Sequence, residues 1–506
     1  MTSSFPAAST VLTTTADPTV TAVVDAAAAA AEVWAATTPA QRRRALDAVA
    51  DSLDAHVDEL VRIAIAETHL GEPRLRGEVK RTSFQLRLFG EVLADGAFLD
   101  AQIDHADPQW PMGAPRPDLR RVLEPVGPVV IFAASNFPFA FSVAGGDTAS
   151  ALAAGCPVIL KAHPGHPALS VLTARLVTAA LADAGAPDGV FALIVGDGAG
   201  RQALTDPRVK AGSFTGSIAG GRALFDLANS RPEPIPFFAE MGSVNPVFVT
   251  AAAAELRAEA IARGLLDSFT LGAGQFCTKP GVVLVPEKSS VIEHLVSMTL
   301  PAPAPMLNSR IQAGYTAVLA DLADHPEVSV LAGGPSGVPT NYEGEDPPGP
   351  TILVTGIAAL LADPDTLLTE CFGPTVLLVT YSDESELLAA ARSLDGQLTA
   401  TIAGEPDDAV VPELVRLLAG KAGRLLWNQW PTGVSVTHAQ QHGGPYPATT
   451  APSSTSVGTA AITRFLRPVA YQGFPTALLP AALQDSNAEG IPQRVDGVLV
   501  QRGSEY

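Results

Sequence analysis

Cys277 lies in LGAGQFCTKPG, a glycine-rich loop expected to follow a long helix over Ala252–Leu271. Gly272 and Gly274 give the backbone freedom to turn and present the thiol in a cleft. A thiolate favoured by local donors is a good nucleophile. Taken alone, a free cysteine is more often a buried structural residue, the reading that also fits Cys156, just ahead of a strand, and Cys371, in an apolar turn. Glu240 ends the run PIPFFAE before Met241-Gly242-Ser243. A carboxylate at the C-terminal end of a strand in an open α/β sheet stands where ligands bind and can act as a general base on water. A solvated strand-end glutamate is the competing reading. Asn136, in AASNFPF, offers an amide N–H to an oxyanion or caps the next element.

Anion-binding signals accompany these residues. Phe214-Thr215-Gly216-Ser217, followed by Gly220-Gly221, reads as a strand-to-helix turn whose free N–H groups suit a phosphate. It lacks the G-x-G-x-x-G spacing, as does GDGAG at Gly196–Gly200, which reads as a loop. Lys161 closes a strand and is followed by Ala162-His163-Pro164-Gly165-His166-Pro167. An acid at the end of such a strand grips a ribose diol, whereas basic groups favour a 2′-phosphate. Lys161, His163 and His166 stand there with no acid in the segment, although His166 alone reads as an ordinary loop histidine.

The elements that must position these groups follow two rhythms. Between Thr19 and Asp100, Val24, Trp34, Leu46, Val49, Leu53, Val57, Leu60 and Ile63 recur at helical intervals, and Thr38-Pro39 reads as a helix start. From Gly127, short apolar runs alternate with helical patterns. Strands are expected at Val129–Ala134, Val158–Leu160, Val190–Val195, Ala211–Phe214 and Ile235–Glu240, with helices at Ser142–Ala154 and Ala168–Ala184. A second set follows Asn245, with strands at Val282–Val285, Thr375–Val379, Leu398–Ile402 and Arg424–Trp427. This is an α/β pattern of βαβ units and parallel sheets. Leu331–Pro350 reads as a loop, and the chain beyond about Gly433 as a polar tail, disordered or laid on a partner subunit.

The composition narrows the class. The 506 residues, 47% hydrophobic, are enough for two or three folding units. The net charge of −20 disfavours a nucleic-acid surface, so an anionic ligand needs local donors. Three cysteines without metal-type spacing imply no disulfide framework and no metal, and a reducing compartment is the default. No secretory signal or 18-residue apolar stretch is present, so a cytoplasmic protein without a membrane partner is expected.

Taken in order, Asn136 in SNFP, Lys161 closing VILKAHP, FTGS at Phe214–Ser217, Glu240 in EMGS, Cys277 in GQFC and Glu370 in ECFGP resemble the aldehyde dehydrogenase superfamily. That resemblance implies two Rossmann-like parallel-sheet domains plus a small oligomerisation hairpin. Residues 1–101 and 126–244 would bind cofactor, 245–440 would be catalytic, and 102–125 with 441–506 would form the oligomerisation element and C-terminal arm. It implies that Cys277 attacks an aldehyde to give a thiohemiacetal, with the oxyanion held by the Asn136 side chain and the Cys277 N–H. Hydride passes to a nicotinamide, and Glu240 activates the water that hydrolyses the resulting thioester. Lys161 and His163 would contact the adenine ribose, Phe214, Gly216 and Ser217 the pyrophosphate region, and Glu370 with Phe372 the nicotinamide ribose. Pro164 occupies the place of a glutamate found in many NAD-preferring members, which favours NADP while leaving NAD possible.

Longer stretches, such as SNFPFAFSVAGGDTASALAAGCPVILKAHPGHP and PTGVSVTHAQQHGGPYPAT, are similar to a narrower group that oxidises 2-oxoglutarate semialdehyde (2,5-dioxopentanoate). NADP-dependent fatty aldehyde dehydrogenases share parts of the pattern. A small dianionic product calls for a polar end to the substrate tunnel, for which Arg121, Ser435, Thr437 and Ser453 are candidates. A coenzyme A-acylating enzyme is disfavoured by Glu240, and a non-catalytic binding protein by the full set of motifs. The resemblance also implies a homodimer or homotetramer.

Overall fold

The computed structural model describes residues 13–334 and 347–500. Three sheets organise the chain. The first has five parallel strands in the order Phe191–Ile194, Val158–Lys161, Val129–Phe132, Ala211–Thr215, Phe237–Glu240. The alternation of side chains along Val129–Phe132 shows why it is buried on both faces. Val129 and Ile131 join a core with Trp34, Leu46 and Leu152, while Val130 and Phe132 join another with Val20, Val24 and Phe237. The amino-terminal helices Asp17–Ala35, Pro39–Ala55, Val57–Thr68 and Glu72–Asp95 supply much of that packing. Thr38 and Gln41 form a reciprocal capping box at the start expected from Thr38-Pro39.

The second sheet has seven strands, in the order Ser329–Ala332, Thr351–Gly356, Thr375–Tyr381, Val282–Pro286, Val247–Val249, Gln397–Ala403, Ala422–Trp427. All neighbours are parallel except the first pair. Leu377, Val379 and Tyr381 face one core, and Val376 and Leu378 the other.

The third sheet contains the expected hairpin, Ala101–Asp104 against Leu119–Pro125, flanked by Leu466–Gln472 and by Gln493–Val495 with Val498–Val500. The described tail is therefore neither disordered nor detached. It returns to its own chain because its strands complete the backbone pairing of both hairpin edges. Four further expectations change. Ser142–Ala154 is helical only from Gly146, because 133–145 form an irregular segment whose backbone is tied by bonds such as Phe139 N–H to Glu78. Strand pairing begins at Phe237, not Ile235, because Pro236 has no N–H to donate and its carbonyl instead accepts from Gly212 N. The strand expected over Ala461–Val469 starts only at Leu466, because Thr459–Phe465 form a 3-10 turn ahead of it. Leu331–Ala332 belong to an edge strand, while 335–346 of the expected loop lie outside the described residues. Among the described residues, no helix is long and apolar enough to cross a membrane.

Candidate active site

The nucleophile loop sits between the two parallel sheets because short-range geometry forces it there. The helix Ala251–Thr270 ends in Gly272, Ala273 and Gly274, three successive residues with positive φ of 58°, 55° and 68°. A Cβ on Gly274 would meet the Gly373 carbonyl oxygen at 2.2 Å, so only glycine lets this turn abut the ECFGP segment. Asn245, fully buried and itself left-handed, then donates its amide to the carbonyls of Cys277 (2.8 Å) and Lys279 (2.9 Å). The Lys279 ammonium donates to the carbonyls of Cys371 and Thr375 at 2.9 and 2.7 Å, locking the loops that carry Cys277 and Glu370 together.

Glu240, the last residue of its strand, is 3% exposed and faces the partly exposed Cys277 across the cleft. Between them stands His442, which is fully buried. Its Nε2 lies 3.5 Å from Cys277 Sγ, in hydrogen-bonding alignment, and 2.9 Å from a Glu240 carboxylate oxygen set off that line. The Ser456 hydroxyl donates to the other Glu240 oxygen, and the Ser456 N–H to the His442 carbonyl at 2.8 Å. Burial opposes ionisation of Glu240, yet the adjoining His442 and the hydrogen bond from Ser456 hold its pKa below the ordinary value. Burial, together with the charges of Glu240 and Glu370, pushes the Cys277 thiol well above its ordinary pKa. The resting group is a thiol beside a base. Glu240, Cys277 and His442 also place one potential metal-ligand atom each within 4.8 Å of one another. Asn136 is 9% exposed, with its Nδ2 donating to the Gln275 carbonyl at 3.3 Å, two residues from Cys277.

The FTGS turn lies beside Glu240, with Gly216 N–H donating to the Glu240 carbonyl. Ser217 caps the helix Ile218–Asn229, whose first residues are exposed. A Cβ on Gly216 would meet the Phe214 ring at 2.5 Å, so the backbone there is bare, as a phosphate cradle requires. On the far side, a Cβ on Gly242 would meet Glu370 Oε2 at 2.5 Å. Burial raises the Glu370 pKa to about 7, against the pull of Lys279 and a bond from the Ser243 N–H. Phe372 follows on the same half-buried loop. This surface fits a dinucleotide: an open helix N-terminus at one end and a half-buried carboxylate at the other.

Other expected residues fall elsewhere. Lys161 is not free of acids: its ammonium pairs with Asp197 Oδ1 at 2.6 Å, because the GDGAG segment is the first turn of helix Asp197–Thr205, packed against Lys161. His163 supplies no cation, since burial and the neighbouring His166, Lys161 and Arg310 hold its pKa well below the ordinary value, and its Nδ1 accepts from Gly165 N–H. His166 is a buried structural residue between Ala134 O and Ser170 Oγ. Arg121 lies in the third sheet, where its guanidinium pairs with Asp100. Ser453 is exposed, and the serine that reaches Glu240 is Ser456, turned inward by its N–H bond to His442 O. Ser435 and Thr437 are exposed on either side of Val436, in the loop that packs Val434 and Val436 against Phe141 and Leu88. His442, Ser456 and Asn245 were not singled out from sequence; the isolated histidine in AQQHGGPYP was the available signal for the first.

Comparison with known proteins agrees with this geometry. The sequence model described as the aldehyde dehydrogenase family matches residues 5–449. The chain is 48% identical over 467 residues to alpha-ketoglutaric semialdehyde dehydrogenase 2 of Azospirillum brasilense, covering 90% of this chain and 87% of that protein. It is 44% identical over 470 residues to alpha-ketoglutaric semialdehyde dehydrogenase of Acinetobacter baylyi, covering 92% and 88%. Among solved structures, betaine aldehyde dehydrogenase from Staphylococcus aureus in complex with NAD+ superposes with a TM-score of 0.75 at 19% identity, covering 90% of this chain and 87% of that one. A 3,6-anhydro-L-galactose dehydrogenase in complex with NADP does so at 0.75 and 21%, covering 89% and 90%. The chain belongs to the aldehyde dehydrogenase family and is an NAD(P)-dependent enzyme that oxidises an aldehyde to a carboxylate.

Proposed function

We propose that the substrate is 2,5-dioxopentanoate, oxidised to 2-oxoglutarate through a covalent intermediate on Cys277. The observation that carries the chemistry is the meeting of the partly exposed Cys277 with the buried Glu240 and His442. The substrate follows the two semialdehyde dehydrogenase relatives. His442 Nε2 takes the thiol proton as sulfur attacks the aldehyde carbon, and the adjacent Glu240 carboxylate stabilises the imidazolium. The Asn136 amide and the Cys277 N–H hold the oxyanion. A bound nicotinamide dinucleotide supplies the hydride acceptor that converts the thiohemiacetal to a thioester. Glu240, fixed by Ser456, then removes a proton from the water that attacks the thioester, and His442 returns its proton to the departing sulfur.

Steady-state kinetics with 2,5-dioxopentanoate, glutarate semialdehyde, hexanal and decanal, each with both cofactors, test this reading. The first should lead in kcat/KM by at least about tenfold. Preference for decanal would replace it with the fatty aldehyde alternative, and a strict requirement for coenzyme A with an acylating enzyme. A separate test addresses His442. His442→Gln should slow alkylation of Cys277 by iodoacetamide at neutral pH by about tenfold or more and move its pH profile to higher pH. An unchanged profile would leave His442 a packing role only.

The units proposed for the chain are a cofactor-binding domain (1–101 and 126–244), a catalytic domain (245–440), and an oligomerisation element with C-terminal arm (102–125 and 441–506), in a cytoplasmic homodimer or homotetramer. Within the first, Lys161, His163, Phe214, Gly216 and Ser217 face the adenosine and pyrophosphate; Glu370 and Phe372, from the second, face the nicotinamide ribose. Acceptance of NADP is supported by Pro164 and Lys161 and opposed by Asp197. Asp197→Asn should therefore raise the NADP-to-NAD ratio of kcat/KM by about tenfold, the worth of one charge contact; an unchanged ratio would place Asp197 outside the phosphate's reach. Because the Glu370 pKa is raised to about 7, its carboxylate is charged above that pH and neutral below it. As the acceptor for ribose hydroxyls it loses strength on protonation, so the cofactor KM should rise as pH falls from 8 to 6. Glu370→Gln should flatten that rise.

A further inference from the structure

Two guanidinium groups converge on one loop beside the reacting thiol. Arg81 comes from the helix Glu72–Asp95, and Arg424 from the strand Ala422–Trp427. Arg81 Nη2 donates to the Val434 carbonyl at 3.5 Å, and Arg424 Nη2 to the carbonyls of Pro431 and Gly433 at 2.9 and 3.1 Å. Each retains a buried nitrogen without a hydrogen-bond partner, Nη1 of Arg81 and Nε of Arg424. Neither makes an ion pair among the described residues, although the chain carries 20 more negative than positive charges. Arg81 stacks 5.3 Å over the Phe141 ring, which itself meets the His442 ring at 6.3 Å. Burial lowers the pKa of both arginines; Glu78, the Cys277 sulfur and Glu240 act on Arg81 in the opposite sense, and the Cys277 sulfur on Arg424. Glu78, one helical turn from Arg81, acts on it through space but makes no ion pair with it. Its Oε1 is taken by the N–H groups of Phe139 and Ala140, and burial raises its pKa.

Two partly buried cations, each with an idle donor and no ion-pair partner among the described residues, are costly unless a ligand completes them. We propose that Arg81 and Arg424 bind the remote carboxylate of the substrate, at the end of a short chain whose aldehyde carbon lies at Cys277. This rests on the semialdehyde reading above and names the groups that would distinguish a carboxylate-bearing aldehyde from an alkyl one. Arg74 also keeps Nε and Nη1 without partners, but it stacks between Phe137 and Phe276 and donates to the Asn136 carbonyl at 2.6 Å, which ties it to the oxyanion loop.

The test compares wild type, Arg81→Gln, Arg424→Gln and Arg81→Lys on 2,5-dioxopentanoate and on hexanal. Each glutamine variant should lose kcat/KM on the carboxylate substrate by about 10–100-fold more than on hexanal, mostly through KM, the range of a charge-assisted contact. Arg81→Lys should recover part of that difference. Equal losses on both aldehydes, or none on either, would overturn the proposal. If a variant fails to fold, the wild type decides: glutarate should compete with hexanal and 1,5-pentanediol should not, and equal competition would overturn it. If wild type prefers another diacid semialdehyde, the 2,5-dioxopentanoate reading falls, and the arginines are judged by the same selective loss on that substrate. A wild type that prefers hexanal overturns both.

Discussion

Cys277→Ser is expected to lower kcat by at least about 10⁴-fold on every aldehyde, the largest effect of any substitution considered. Serine preserves the shape of the loop, whose carbonyl stays bound to the Asn245 amide and whose turn is set by Gly272–Gly274. Dinucleotide binding, followed by calorimetry, should therefore persist. Reactivity is what is lost. A hydroxyl is far harder to ionise than a thiol, and an alkoxide leaves an acyl carbon less readily than a thiolate does. The raised thiol pKa at this site makes the proton acceptor essential even for sulfur, and an imidazole suited to a thiol does not suffice for serine. Turnover within about tenfold of wild type would remove Cys277 from the mechanism.

Glu240→Gln should separate the two halves of the reaction. Glutamine keeps the volume and can still accept the Ser456 hydrogen bond, so the cleft should remain assembled. It cannot take a proton from water. Rapid mixing should then show a burst of reduced cofactor close to one equivalent per site, followed by a steady rate lower by about 10²–10⁴-fold. Loss of the charge beside the His442 imidazolium slows attack by the thiol as well, so the burst should rise more slowly while keeping its amplitude. A steady rate that falls without a burst would place Glu240 before hydride transfer and make it the base for the thiol.

Much of this arrangement is legible in the sequence because it depends on local rules. The strand Val129–Phe132 is a continuous apolar run because both of its faces are covered, and the Thr38-Pro39 helix start is a backbone preference. Cys277, Glu240 and Asn136 stand out because each ends or follows a regular element, within three residues of glycine or proline. What the sequence hides is the chemistry brought in from far along the chain. His442 is 165 residues from Cys277, and Ser456 is 216 from Glu240, both within a Gly-, Ser- and Thr-rich stretch with the texture of a loop. Asp197 reaches Lys161 only because two neighbouring parallel strands align their C-terminal ends. Arg81 resembles any solvated helix arginine until the Val434 loop covers it, whereas Arg121, beside a strand and a proline, proves to belong to the third sheet. The strand Thr351–Gly356 is masked by the prolines that precede it.

The covalent intermediate can be observed directly. Glu240→Gln, mixed with one equivalent of 2,5-dioxopentanoate and oxidised cofactor, quenched in acid and digested, should yield an acylated peptide containing Cys277. Peptides with Cys156 and Cys371 should be unmodified, and omitting the cofactor should leave no acyl group. An acyl group on either other cysteine, or stoichiometric formation of reduced cofactor with no acylated peptide, would contradict the account.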